Sequence, residues 1–187
     1  MNTTASDWKP TMFRISLFTL LVSLSTAVLA DDPESMEPVK VSIAVPIHHG
    51  HRSLNEGDHF HVLVTNVSGE PIRLWTDRFS WGYDNLSFEL IRDDGKITRI
   101  VKKPKEYDKN FPDWLELEAG GSYVLNVDWF SEQGRGVWEN LPAADGKAKP
   151  TLVKLRAVYE AMPDEQSRKL DVWTGKIVSP VQTYATW

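Results

Sequence analysis

The chain has 187 residues, no cysteine, five histidines and a formal net charge of −5 at pH 7. Without a thiol there is no lipoprotein anchor, no thiolate metal site and no cysteine nucleophile. Its acidic balance lacks the clustered Lys and Arg that phosphate neutralisation needs, so nucleic acid is not an expected partner.

The first predicted element is a targeting segment. Lys9 and Arg14 precede an uncharged apolar run, Ile15 to Ala30, which gives way to Asp31, Asp32 and Pro33. This layout predicts a signal peptide over residues 1–30, with small residues at Val28 and Ala30 for cleavage. A start at Met12 would give a more ordinary basic region than one at Met1. The run falls short of the roughly 20 residues that a bilayer span requires. The processed protein is therefore expected in the periplasm or the medium, without a membrane span.

Residues 31–38 (DDPESMEP) read as a flexible leader, and 39–187 as a single domain. From Val39 onward apolar residues recur with period two, the signature of half-buried strands. Val39, Val41, Ile43 and Val45 form the first set, and residues 46–58 read as a polar loop. Phe60, Val62 and Val64 follow, then Ile72, Leu74 and Thr76 after a Gly69-Glu70-Pro71 turn, then Leu86, Phe88 and Leu90. Asp93-Asp94-Gly95-Lys96 predicts a hairpin turn into Ile97 to Val101, because Asp and Gly tolerate positive φ.

Leu115 and Leu117 lead through Ala119-Gly120-Gly121 to Tyr123, Leu125, Val127 and Trp129. Val153 to Tyr159 and a last strand over residues 172–178 complete the pattern. No window supports an amphipathic helix of three turns. About eight or nine short strands predict an all-β, two-sheet sandwich of the immunoglobulin or fibronectin-III type, since each sheet must bury one face against another. A closed barrel is the alternative. Segments 104–113 and 131–150 are longer than hairpin loops and contain aromatic residues, and long loops are where function concentrates. Trp138 is a candidate plug for one end of the core.

Phe60 to Trp129 resembles the layout of bacterial β-sandwich modules, notably the BsuPI-type proteinase inhibitor family. The matching pieces are Asn66-Val67-Ser68-Gly69-Glu70-Pro71-Ile72, Tyr83-Asp84 leading to Phe88-Glu89-Leu90, Asp94-Gly95-Lys96, and Leu117-Glu118-Ala119-Gly120 with Trp129. Arg156 to Glu160 and Val172 to Lys176 look like the closing strand pair of exported immunoglobulin-like domains of unknown role. The resemblance implies a sandwich and an inhibitor-like function. It supplies no reactive loop, so no inhibitory residue is carried over.

Two clusters carry candidate chemistry. His48, His49, His51, His59 and His61 lie within fourteen residues. With no thiols present, Zn or Cu would have to be held by imidazole and carboxylate. His59 and His61 share one face of a strand, His48, His49 or His51 would supply a third ligand, and Glu56 and Asp58 are nearby carboxylates. The bland reading is a solvated loop and the wet face of a strand. The second cluster is aromatic: Trp75, Phe79, Trp81 and Tyr83 suit a protein or glycan surface, or else core packing. Asn66-Val67-Ser68 and Asn85-Leu86-Ser87 match glycosylation acceptors.

No Gly-x-Ser-x-Gly elbow, His-Glu-x-x-His pair or phosphate-cradling glycine loop occurs, so no enzymatic activity is expected. The leading expectation is a non-catalytic exported module for protein recognition or structural interaction. The alternatives are a periplasmic Zn- or Cu-binding module, and a proteinase inhibitor or carbohydrate-binding module.

Overall fold

A computed structural model describes residues 37–55, 59–142 and 150–186. The chain order is β1 (Val39–Ala44), β2 (Ile47–His48), β3 (His51–Arg52), β4 (Phe60–Asn66), β5 (Ile72–Trp75) and α1 (Ser80–Tyr83). Next come β6 (Leu86–Ile91), β7 (Ile97–Lys102), β8 (Trp114–Leu117), β9 (Ser122–Val127), α2 (Glu132–Val137) and β10 (Trp138–Glu139). The last are β11 (Thr151–Ala161), α3 (Glu165–Leu170), β12 (Gly175–Val178) and β13 (Gln182–Thr186). The fold is all-β. The predicted signal peptide and most of the leader lie outside the described residues.

Two antiparallel sheets dominate. The smaller has the order β1-β4-β9, and the larger runs β10-β7-β6-β11, with β12 and β13 sharing the far edge of β11. Two further pairs, β2-β3 and β5-β8, flank them. In β4 strict alternation of buried and half-buried positions follows from the period-two pleat. Val39, Val41, Phe60, Val62, Val64, Leu125 and Val127 point inward from the smaller sheet. Leu86, Phe88, Ile100, Leu155, Ala157, Tyr159, Ile177 and Tyr184 do so from the larger, and all fall into one buried cluster. That shared cluster makes the arrangement sandwich-like. At its centre the ring centroids of Phe60 and Trp129 are 5.0 Å apart and those of Phe88 and Trp129 are 4.7 Å apart. Trp138 packs on the same group, 5.5 Å from Phe88.

The predicted hairpin at Asp93–Lys96 is present, with Gly95 at φ 80° and the Asp94 carboxylate accepting from the Lys96 N–H at 2.9 Å. Three expectations need correction. The region read as a polar loop contains the β2-β3 hairpin, because His49 (φ 47°) and Gly50 (φ 79°) both adopt the left-handed geometry of a tight two-residue turn. The last strand is β13, not 172–178. Asp171 enters the left-handed region after α3, Gly175 takes φ 154°, and only then does β12 begin. With the two-residue strands included, thirteen strands occur among the described residues, more than the eight or nine expected. No helix among these residues is long and apolar enough to cross a membrane.

Asn66, at the end of β4, explains the Asn-Val-Ser-Gly-Glu-Pro segment. Its side chain is fully buried. It donates to the carbonyls of Glu70 (2.8 Å) and Leu117 (3.0 Å), and accepts from the Ser68 N–H (2.9 Å) and hydroxyl (2.7 Å). Every hydrogen-bonding position of the amide is used internally. Asn85 is buried as well, so neither Asn-x-Ser triplet presents an accessible acceptor.

Candidate functional site

Segment 76–83 leaves β5 and folds back onto its end. Gly82 allows this, since a Cβ there would sit 2.1 Å from the carbonyl oxygen of Thr76. The one-turn helix α1 therefore lies directly on the end of β5. Its first residue lacks a side-chain cap of its own, and a distant loop provides one. The Asn110 amide accepts from the Ser80 N–H (3.2 Å) and donates to the Ser80 hydroxyl (2.8 Å). The Thr76 hydroxyl donates to Asp113 at 2.6 Å, and the Thr76 N–H donates to the Asp113 carbonyl at 3.0 Å. Loop 104–113, noted in the sequence for its length and aromatics, is thus fastened onto segment 76–83 at two points.

The joint aligns aromatic side chains from both segments. Phe111 lies 4.2 Å from Phe79, Phe79 lies 6.4 Å from Tyr107, and Tyr107 lies 6.1 Å from Tyr83, centroid to centroid. None of these four rings belongs to the hydrophobic core. Phe79, Tyr107 and Tyr83 are half-buried, and Phe111 is 52 % exposed. Burial pushes the Tyr107 phenol up to about 12 and raises Tyr83 as well.

At the inner end of the row stands Lys102, the last residue of β7. Its ammonium is 4.6 Å from the Tyr83 ring centre and 5.7 Å from that of Trp138, its neighbour across the β7-β10 pair. Only 9 % of its side chain is exposed, and Asp77 Oδ2 lies 3.9 Å away. Loss of solvation lowers the Lys102 pKa, against the opposing pull of Asp77 and then Asp84. Lys105 approaches from the loop, 5.1 Å from Tyr107 and 5.7 Å from Tyr83. Cations over aromatic faces at these distances attract the negative ring faces. Lys102 opens onto a cleft of about 280 Å³ with Asp77, Tyr83, Asn126, Asp128, Gln133 and Trp138 in its walls.

Of the four predicted aromatic residues, Trp75 departs from the surface reading. It is 2 % exposed and presents no ring face to a partner. Trp81, 6.2 Å from it, lines a separate cleft of about 410 Å³ with Asp84, Arg99 and Glu160. Arg99 and Glu160 pair there at 3.6 Å. Burial raises the Asp84 carboxyl, partly offset by Lys102. Tyr107, Phe111 and Lys102 complete the row but were not singled out from the sequence. Only the aromatic content of loop 104–113 signalled the first two.

The histidines fall into two places. His59 and His61 do share a face, with ring centroids 5.0 Å apart, and His61 Nδ1 is 2.9 Å from Asn126 Oδ1. His48 and His51 face each other across the β2-β3 hairpin, and His49 lies in its turn, 4.2 Å from His48 by ring centroids. Among the described residues no three or more histidine or carboxylate side chains converge as a metal site. Glu56 and Asp58 lie outside the described residues. No protein-family model matches the chain, and no curated protein matches it.

Proposed function

We propose that this is a non-catalytic, exported protein-recognition module whose binding surface is the row Phe111–Phe79–Tyr107–Tyr83. The observation that carries the reading is that these rings lie outside the core and yet are brought together by hydrogen bonds between two chain-distant segments. Aromatic anchors with few rotatable bonds are enriched at protein interfaces, because they bring large contact area at small entropic cost. Hydrogen bonds through Asn110 and Asp113 order the row before any partner arrives, which reduces the entropy lost on association. Export is supported by the layout from Lys9 to Pro33. The sandwich reading is supported by two antiparallel sheets that bury one common cluster.

The test is site-specific photocrosslinking from position 111 in producing cells. A discrete adduct is expected, lost in Phe79→Ser and retained in Ile97→Ser, which changes an exposed apolar residue on the β6-β7 hairpin. An adduct yield unaffected by Phe79→Ser contradicts the proposal.

A further inference from the structure

Among the described residues Lys102 has one ion-pair partner, Asp77 at 3.9 Å, and no hydrogen bond to it. Two carboxylates share the cleft walls: Asp128 is committed elsewhere, and Asp77 pairs with Lys102 only at a distance. Asp128 accepts from the N–H groups of Phe130 (3.1 Å) and Ser131 (3.0 Å) and from the Ser131 hydroxyl. Those bonds hold its pKa low, against the effect of burial. Asp77 Oδ1 accepts from the Tyr123 hydroxyl at 2.8 Å, and its other oxygen stays 3.9 Å from the ammonium, beyond hydrogen-bond reach. Lys102 therefore has three N–H donors, aromatic rings on two sides and no hydrogen bond among the described residues. The side chain is nine-tenths buried while its ammonium faces the open cleft, so an acceptor oxygen entering from that side can take its N–H bonds.

We propose that the cleft at Lys102 receives a carboxylate group, whose oxygens take the Lys102 N–H bonds with the side-chain amides of Asn126 and Gln133 beside them. At about 280 Å³ the cleft lies at the small end of ligand pockets, suited to one acidic side chain or a small organic acid. Tyr83 is both a wall of this cleft and the inner end of the aromatic row. An acidic residue of a partner docked on the row would reach Lys102. That choice of carrier rests on the protein-recognition reading, whereas carboxylate binding itself does not.

The probe is glutarate, titrated into the full-length protein and followed by NMR of the Trp138 indole and the Asn126 and Gln133 side-chain amides. Saturable shifts are expected with glutarate and not with its uncharged diamide, and they are expected to vanish in Lys102→Met. Asp77→Asn keeps an acceptor for Tyr123 and removes the competing carboxylate, so glutarate should bind about threefold or more tighter, in line with screened like-charge relief. This variant carries the test if Lys102→Met does not fold. Equal response to the diamide, unchanged shifts in Lys102→Met, or weaker binding in Asp77→Asn overturns the proposal.

A capped peptide carrying phenylalanine and glutamate identifies the carrier. Binding about tenfold tighter than glutarate, with the gain lost in Phe79→Ser, assigns it to a protein partner. Binding no tighter than glutarate leaves the carboxylate site standing, assigns it to a free acid, and counts against the aromatic row as a docking surface.

Discussion

Replacing Asn66 by alanine tests how far one buried amide holds the end of the smaller sheet. The side chain makes four hydrogen bonds, each worth about 1 kcal/mol net. Ser68 and the Glu70 carbonyl lie near the surface and recover water when the amide is removed. The Leu117 carbonyl belongs to a buried residue and does not, which adds a desolvation penalty of roughly 1–3 kcal/mol. Allowing for the bonds that water replaces, Asn66→Ala should destabilise by about 3 kcal/mol. For a domain of this size that lowers Tm by roughly 6–12 °C. Urea unfolding followed by tryptophan fluorescence gives the free energy directly. Asn126→Ala is the control, since Asn126 is exposed and holds only His61; its effect should stay below about 0.5 kcal/mol. A loss below about 1 kcal/mol for Asn66→Ala would refute the reasoning, because the buried Leu117 carbonyl would then have another partner.

Gly82→Ala drives a methyl group into the Thr76 carbonyl, so α1 must lift from β5. A cost of about 1–3 kcal/mol is expected in thermal melting, together with weaker crosslinking from position 111 as Phe79 and Tyr83 move. All five tyrosines have phenols raised above the ordinary value, chiefly by burial, with Tyr107 and Tyr159 at about 12. The folded state therefore keeps phenolic protons that the unfolded chain has lost. Stability should be full below about pH 10 and fall as pH climbs toward 12. Ultraviolet titration should show little tyrosinate at pH 10 and a cooperative rise on unfolding; gradual independent ionisation from pH 9 would contradict this.

Period two was a reliable guide wherever one strand face meets the core. Phe60, Val62 and Val64 are buried, and His59 and His61 share the opposite face, because the pleat leaves no other arrangement. What the pattern cannot show is pairing at a distance. β13 was missed because Gln182–Thr186 is short and mostly polar, and its place is decided by the free edge of β11. The hairpin at His49-Gly50 is legible in principle, since glycine permits the positive φ such a turn needs. Lys102 sits in a short basic stretch with Lys103 and Lys105. Its burial depends on Tyr83 and Trp138, residues 19 and 36 positions away along the chain. No local signal distinguishes it from Lys103.

The central claim is that the row Phe111–Phe79–Tyr107–Tyr83 serves binding and not folding. The most direct measurement compares Phe79→Ser/Phe111→Ser with Phe60→Ala in paired assays of unfolding free energy and capture of the crosslinked partner, the crosslinker for both placed at Lys105 in the same loop. Loss of capture with a stability change within about 1 kcal/mol is expected for the row variant, against a loss of about 3–5 kcal/mol for the core variant. A row variant that captures its partner normally but melts like the core variant would contradict the account.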